Sequence, residues 1–319
     1  MINTNICSLL NIKYPILQGG MAQISDAVLA AAVSEAGGLG VIASGNNTAE
    51  ALKKEIKRVK ELTNKAFGVN VMLLSPHAEE VANLLVEENV PVIITGAGNP
   101  GKYMKLWKDA GSKIIPVVPS VAFAKHLEKA GADAVICEGT EAGGHVGEIT
   151  TMCLTPQIVD SVKIPVIAAG GIGDGRGIAA AISLGAQGVQ VGTRFLLANE
   201  CGVHQNYKNK VKKASDTDTA VTGRKTGHPV RVLKNKLVTQ FKELEKSNGT
   251  VEEIEQLGRG RLYKAAIEGD VDYGSVMSGQ IAGLVNKEQS CEEIIIEMFE
   301  EAENIMRNLS SFVSGGNNE

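Results

Sequence analysis

Aromatic side chains make up only 4% of these 319 residues. A core with so few rings must be filled by aliphatic side chains and close backbone packing, which suits helices on strands better than a β-sandwich. Cysteine is sparse as well: Cys7, Cys137, Cys153, Cys201 and Cys291 are scattered, odd in number and form no CxxC. That pattern excludes a disulfide framework and a cysteine zinc site, and free cytosolic thiols are the simple reading. No apolar run approaches membrane-spanning length, and the opening MINTNICSLLNIKYP has no basic region followed by a long apolar one. A cytoplasmic protein with no membrane partner is expected. A net charge of only −4 argues against a general nucleic-acid binder.

Glycine, by contrast, is abundant at 36 residues, and it gathers at the ends of apolar runs. The stretch 164–195, IPVIAAGGIGDGRGIAAAISLGAQGVQVGTRF, reads as strand, glycine turn, helix, strand, glycine turn. Counted along the chain, short apolar runs fall at 14–18, 39–43, 67–73, 92–95, 113–118, 134–138, 164–169 and 188–191, with helical segments between them. The helix at 25–36 takes Ser25 as its N-cap, and the one after the sixth strand starts near Pro156. Eight such units predict an α/β protein, a (β/α)8 TIM barrel, over a doubly wound open sheet. The rhythm breaks after Phe195, where a polar stretch containing KVKKA, HPVRVLKNKLVTQFKELEK and VEEIEQLG reads as a small helical subdomain inserted after strand eight. The expected division is a barrel from 1–200 and 275–319 with the subdomain at 201–274, ending in a helix at 291–309 and a frayed tail at 310–319.

Barrel active sites lie at the C-terminal ends of the strands. Those ends carry glycine and uncharged polar groups, with Glu138 as the one carboxylate. They offer no histidine–carboxylate cluster spaced for a catalytic metal, no GxSxG elbow and no lysine poised for Schiff-base chemistry. Such a rim suits an organic cofactor that brings its own reactivity. The glycine turns Gly170-Gly171 and Gly192-Thr193, after the last two strands, predict a phosphate held by main-chain N–H groups. His145 follows Gly143-Gly144 in the loop after strand six and is the candidate acid, base or hydrogen-bond donor. A structural role in a glycine loop fits the same residue, so the residues alone leave both readings open. His77 and His126 read as surface residues on outer helices, and His204 and His228 as part of the subdomain, His228 within reach of the mouth but not catalytic.

YPILQGGMA, EAGGLGVIASGN, FGVNVMLLSP, VIITGAGNP, EGTEAGGHVGEITT, IPVIAAGGIGDGRG, VQVGTRF, TGHPVR and GSVMSGQIAGLV together span nearly the whole chain. In these segments the sequence resembles the nitronate monooxygenase (2-nitropropane dioxygenase-like) family of FMN barrels. The unbroken EGTEAGGHVG, the insert with TGHPVR, and GSVMSGQIAGLV are similar to its flavin-dependent enoyl-acyl-carrier-protein (enoyl-ACP) reductases. Ser278 stands where a small alanine is expected.

The resemblance implies a bound FMN, with Gly170, Gly171, Gly192 and Thr193 at its phosphate and Gly20 and Met21 along the isoalloxazine. It places Asn70, Thr95 and Glu138 at polar edges or ribityl hydroxyls, Gln190 beneath the ring and Gly143 beside it. Met277 and Gln280 would close the pocket, although ordinary helix packing also accounts for those two. NADH or NADPH is the implied electron donor, and a monovalent cation is allowed near the insert, with no ligands located. A homodimer and cytoplasmic fatty-acid elongation are the implied setting, with acyl carrier protein as partner. The carrier is acidic, so Lys208, Lys210, Lys212, Lys213, Arg224, Arg231, Lys234 and Lys236 are candidates for its docking, against the alternative of a solvated face. Enoyl reduction, nitronate oxidation and a phosphate-ligand-binding barrel without turnover are the three readings carried forward.

Overall fold

The computed structural model describes residues 1–247 and 249–313. Parallel strands β1 (Ile16–Gln18), β2 (Gly40–Ala43), β3 (Phe67–Met72), β4 (Val92–Gly96), β5 (Lys113–Val118) and β6 (Val135–Glu138) follow one another in the chain. The two-residue strand β7 (Gly144–His145) stands apart from them, and β8 (Val166–Ala169) and β9 (Gly188–Val191) complete the eight parallel strands. The sheet order is β1-β9-β8-β6-β5-β4-β3-β2. A parallel bridge between Leu17 and Leu39 brings β1 back to β2. The eight strands therefore form a nearly closed (β/α)8 barrel, as the eight apolar runs predict.

Two cores explain why those runs are almost continuously apolar. Neighbouring strand residues alternate between them: Leu17, Val41, Ile94, Ile115, Ile136 and Ile167 fill the barrel interior, while Ile16, Ile42, Ile93, Ile114, Val135 and Ala168 pack outward under the helices. That alternation is the period-two geometry of a strand buried on both faces. Helix α1 (Asn5–Leu10), which the sequence reading did not anticipate, sends Ile6 and Leu10 into the interior cluster and closes one end of the barrel.

The outer helices are α2 (Ala27–Glu35), α3 (Ala49–Leu62), α4 (Ala78–Glu87), α5 (Gly101–Asp109), α6 (Val121–Lys129), α7 (Thr151–Val159) and α8 (Gly175–Ser183). Helix α7 starts before the predicted Pro156 and carries that proline inside it. Asp26, not Ser25, caps α2, accepting a hydrogen bond from Leu29 N at 2.9 Å.

After β9 the chain runs through a 3-10 turn, Thr193–Leu197, into α9 (Gln205–Lys212). The stretch expected to be all helix then forms an antiparallel hairpin, β10 (Thr219–Thr222) with β11 (Val230–Leu233), before α10 (Lys236–Lys246), α11 (Val251–Gly258) and α12 (Arg261–Ala266). The VRVL part of HPVRVL is strand because it pairs with Thr219–Thr222 on one side and with Gly144–His145 on the other. The last helix, α13 (Cys291–Val313), packs on α8 and α2 and so occupies the eighth helix position of the barrel. It runs four residues past the predicted start of the tail; residues 314–319 lie outside the described residues. Among the described residues no helix is long and apolar enough to cross a membrane.

Candidate active site

Where the barrel strands end, a cavity of about 260 Å³ opens. Its floor comes from the tips of β1, β3, β6, β8 and β9, through Gly20, Asn70, Glu138, Ala169 and Gln190. The turn after β1 is fixed from within. The Ser25 hydroxyl accepts from Met21 N at 2.8 Å and from Gln18 Nε2 at 2.7 Å, so the residue expected to cap a helix instead shapes the cavity wall.

Three loops meet over this floor. Thr193 Oγ1 accepts from Gly279 N at 2.9 Å, and Gln280 N donates to the Glu141 carbonyl at 2.9 Å. These bonds tie the segment after residue 274 to both the end of β9 and the loop after β6. Gly143 permits the close approach: a Cβ there would lie 2.6 Å from the Ser278 carbonyl carbon. Gly170 adopts φ +87°, a left-handed conformation that side chains resist, and its Cβ would lie 2.9 Å from the Gly139 carbonyl.

The histidine loop is held by sheet pairing. Strand β7 pairs with β11, opposing His145 to Val230 and Gly144 to Arg231. Val146 N donates to the Pro229 carbonyl at 3.1 Å. Arg231, 8% exposed, donates from Nε to the Thr140 carbonyl at 3.1 Å and from Nη1 to Thr219 Oγ1 at 3.0 Å. The insert thus fixes the main chain on both sides of His145.

Two ionisable groups at the cavity are perturbed. Burial pushes the Glu138 carboxyl up to about 7. Desolvation, and then the charge of His228, holds the His145 imidazole below the usual histidine value. His145 is therefore neutral at pH 7, with one ring N–H to donate. Glu141, which the sequence reading passed over, lines the cavity beside the glycine turns and accepts from Thr151 N at 3.1 Å. Its neighbours in sequence are no guide to that position, because it is the distant Thr151 N–H that its carboxylate meets.

The chemistry of this donor set fits FMN in kind. Gly170, Gly171 and Gly192 present main chain without side chains at the rim, as a phosphate would require, although the Glu141 carboxylate lies against Gly171 and would have to turn away from an anion bound there. Among the described residues four buried side-chain oxygens have no hydrogen-bond partner, Thr95 Oγ1, Gln187 Oε1, Gln190 Oε1 and Ser278 Oγ, and of these Gln190 stands in the cavity floor. A buried acceptor left unpaired is costly, and a polar ring or polyol edge bound there would satisfy Gln190. No group of three or more histidine, cysteine or acidic residues placed to hold a metal occurs among the described residues.

Of the residues singled out from sequence, Gly20, Met21, Asn70, Glu138, Gly143, His145, Gly170, Gly171, Gln190, Gly192, Thr193 and Met277 all line the one cavity. Thr95 lies buried in β4 without lining it, and the Gln280 side chain is exposed, while its neighbours Gly279 and Ile281 face the cavity. Leu262 of α12 also reaches the cavity, a contact between distant segments that no local pattern reveals. The basic residues of the insert form no open face. Lys208 is buried and donates to the Ala198 carbonyl at 2.7 Å, and Arg231 is buried in the loop clamp. Lys212 pairs with Glu288, Arg224 with Glu148 and Lys236 with Asp272, while Lys213 and Lys234 are exposed and Lys210 is half-buried, none of the three in an ion pair among the described residues.

A family profile described as nitronate monooxygenase matches residues 3–85 and 77–301. A solved structure of FabK from Thermotoga maritima is 48% identical, with a TM-score of 0.96 over 98% of this chain and 100% of that one. A probable nitronate monooxygenase of Staphylococcus saprophyticus is 34% identical over 96% of this chain and 99% of its own length. A (3aS,4S,5R,7aS)-5-hydroxy-7a-methyl-1-oxo-octahydro-1H-indene-4-carboxyl-CoA dehydrogenase of Mycobacterium tuberculosis is 33% identical over 92% of this chain and 94% of its own length.

Proposed function

Because the chain belongs to the nitronate monooxygenase family, we propose that it works as an FMN-dependent enoyl-ACP reductase, converting trans-2-enoyl thioesters to acyl thioesters with NADH or NADPH. The 48% identity to FabK supports this reading, as does the loop EGTEAGGHVG by which the sequence resembles the enoyl-ACP reductases. The observation that carries it is His145, a neutral imidazole held by strand pairing at the mouth of a glycine-walled cavity.

FMN bound in that cavity would supply hydride to the β-carbon of the enoyl thioester after taking it from the nicotinamide. The main chain at Gly170, Gly171, Gly192 and Thr193 would hold its phosphate, with Gln190 and Asn70 meeting polar edges. Negative charge then gathers on the thioester oxygen, and a proton must reach the α-carbon. A preorganised donor aimed at that oxygen lowers the barrier without reorganising during the reaction. His145 is such a donor, and Arg231 keeps its loop in place. Acyl carrier protein would deliver the substrate, with Lys213 and Lys234 among the exposed cations of the insert that would meet its acidic surface.

Nitronate oxidation is the second reading, favoured by the 34% identity to the staphylococcal protein. The test is an anaerobic titration. The purified protein should absorb as a flavoprotein, bleach with NADH or NADPH, and recover its colour with a crotonyl thioester, while a nitronate added to the oxidised protein should leave the flavin oxidised. Reduction of the oxidised flavin by a nitronate, with oxygen restoring the colour and no reoxidation by the crotonyl thioester, would transfer the protein to the second reading, and a colourless protein that takes up no FMN would remove both.

A further inference from the structure

A second chamber, of about 210 Å³, lies inside the insert. It shares His145, Leu262 and Met277 with the cavity at the strand ends, so the two spaces meet beside the imidazole. Away from that junction its apolar lining is Val230 and Val232 of β11, Leu237, Val238 and Phe241 of α10, and Ile254 of α11, with Thr222, Thr226, His228, Glu255 and Ser275 adding polar groups. Leu237, Phe241 and Ile254 also form a small hydrophobic cluster of their own, separate from the barrel cores. A cluster that small gains most by collapsing, since an empty apolar space leaves its lining without dispersion partners.

The space is kept open by polar groups that are satisfied elsewhere. The Asn235 amide NH2 donates to the Val271 and Gly274 carbonyls, both at 2.8 Å, and its oxygen accepts from Val238 N at 3.1 Å. Arg261 Nε is spent on the Leu257 carbonyl at 3.0 Å. Asn235 therefore pins the start of α10 to the 271–274 segment, and no wall residue can fall inward to fill the gap. The lining is more apolar than polar, so an apolar guest suits the chamber better than water.

We propose that this chamber takes the acyl tail of a thioester substrate, with the reacting double bond left at the junction beside His145. The assignment rests on the enoyl-reductase reading, and it names the insert as the element that sets chain length. Val238 lies on the first turn of α10 and faces the chamber, so a larger side chain there shortens the space without touching the flavin cavity.

The experiment compares saturated butyryl-CoA and decanoyl-CoA, which bind without turning over, by their perturbation of the flavin spectrum in the FMN-loaded protein. Wild type should bind decanoyl-CoA at least about tenfold more tightly, from the added buried methylenes. Val238→Phe should abolish that preference while leaving butyryl-CoA affinity within about twofold. Phe241→Leu, which enlarges the chamber, should extend the preference to longer chains, and it carries the test if Val238→Phe does not fold. Equal affinity of wild type for the two chains, a preference that survives Val238→Phe, or no tighter binding of an acyl-CoA longer than decanoyl-CoA by Phe241→Leu, overturns the proposal. Reduction of crotonyl-CoA by the same wild-type preparation separately decides the parent reading, since a four-carbon chain needs no chamber.

Discussion

The rings of His145 and His228 meet edge to face with their centroids 6.5 Å apart. One sits in the loop after β6, the other in the turn before β11, and the pairing of β7 with β11 brings them together. Because His228 helps to hold the His145 imidazole below its usual value, His228→Asn should raise that value. The titration of the His145 imidazole by NMR, or the acid limb of the pH–rate profile, should move upward in the variant. The sign for stability follows: a depressed histidine binds fewer protons folded than unfolded, so the folded state loses stability as pH falls through about 6.5. No movement of the His145 titration in the variant would break the coupling.

His145→Ala should retain FMN and its reduction by NADH or NADPH, because no wall of the phosphate rim is touched. Enoyl reduction should fall by about two orders of magnitude or more, the usual loss when an acid–base group or oxyanion donor is removed. Stopped-flow traces of the two half-reactions separate these effects. Near-normal reoxidation by crotonyl thioester would take His145 out of the chemistry.

Glu138 offers a stability measurement that needs no substrate. Its carboxyl is raised to about 7, so the unfolded chain gives up its proton earlier than the folded one. The stabilising contribution is complete below about 4.5 and is lost as pH rises through about 7. In flavin-free protein, Glu138→Gln should remove this slope and gain about 1–3 kcal/mol at pH 8 relative to pH 5, discounted for the group's contact with the open cavity. Urea unfolding at the two pH values reads it directly; parallel curves for variant and wild type at both would refute it.

Gly170→Ala tests the phosphate rim. The residue sits at φ +87°, where a Cβ costs about 1–3 kcal/mol and presses on the Gly139 carbonyl. Affinity for FMN should drop about tenfold or more, read by fluorescence on flavin release, with little change in the far-UV spectrum. Unchanged affinity would move the phosphate elsewhere.

What the sequence made legible was what depends on local pattern. The apolar runs at 92–95 and 188–191 are strands because both faces are buried, and glycines at 170–171 mark a turn that only glycine makes easily. What it hid depends on distant partners. VRVL looked helical beside the lysine-rich stretch that follows, and only its pairing with Thr219–Thr222 and Gly144–His145 makes it a strand. The inward turn of Glu141 and the reach of Leu262 come from the same long-range assembly. Gln280 was misplaced because the short 3-10 turn at Gln280–Leu284 sends its side chain outward and Ile281 inward.

Arg231 joins that hidden hairpin to the active loop, so it should behave as a positioning residue. Its two hydrogen bonds leave from different nitrogens of one planar group, a geometry that an ammonium cannot copy. Arg231→Ala should cost about 1–3 kcal/mol of stability, since the Thr140 carbonyl loses its partner. FMN content should be unchanged, because Thr140 lies outside the phosphate rim. The loop itself should loosen, and exchange of the Val146 amide, now bonded to the Pro229 carbonyl, should speed up. Turnover should fall in kcat more than in KM, as expected when a donor is present but badly aimed. Arg231→Lys should resemble the alanine variant in both readouts; full rescue by lysine would mean that charge alone, and not the fork, keeps His145 in place.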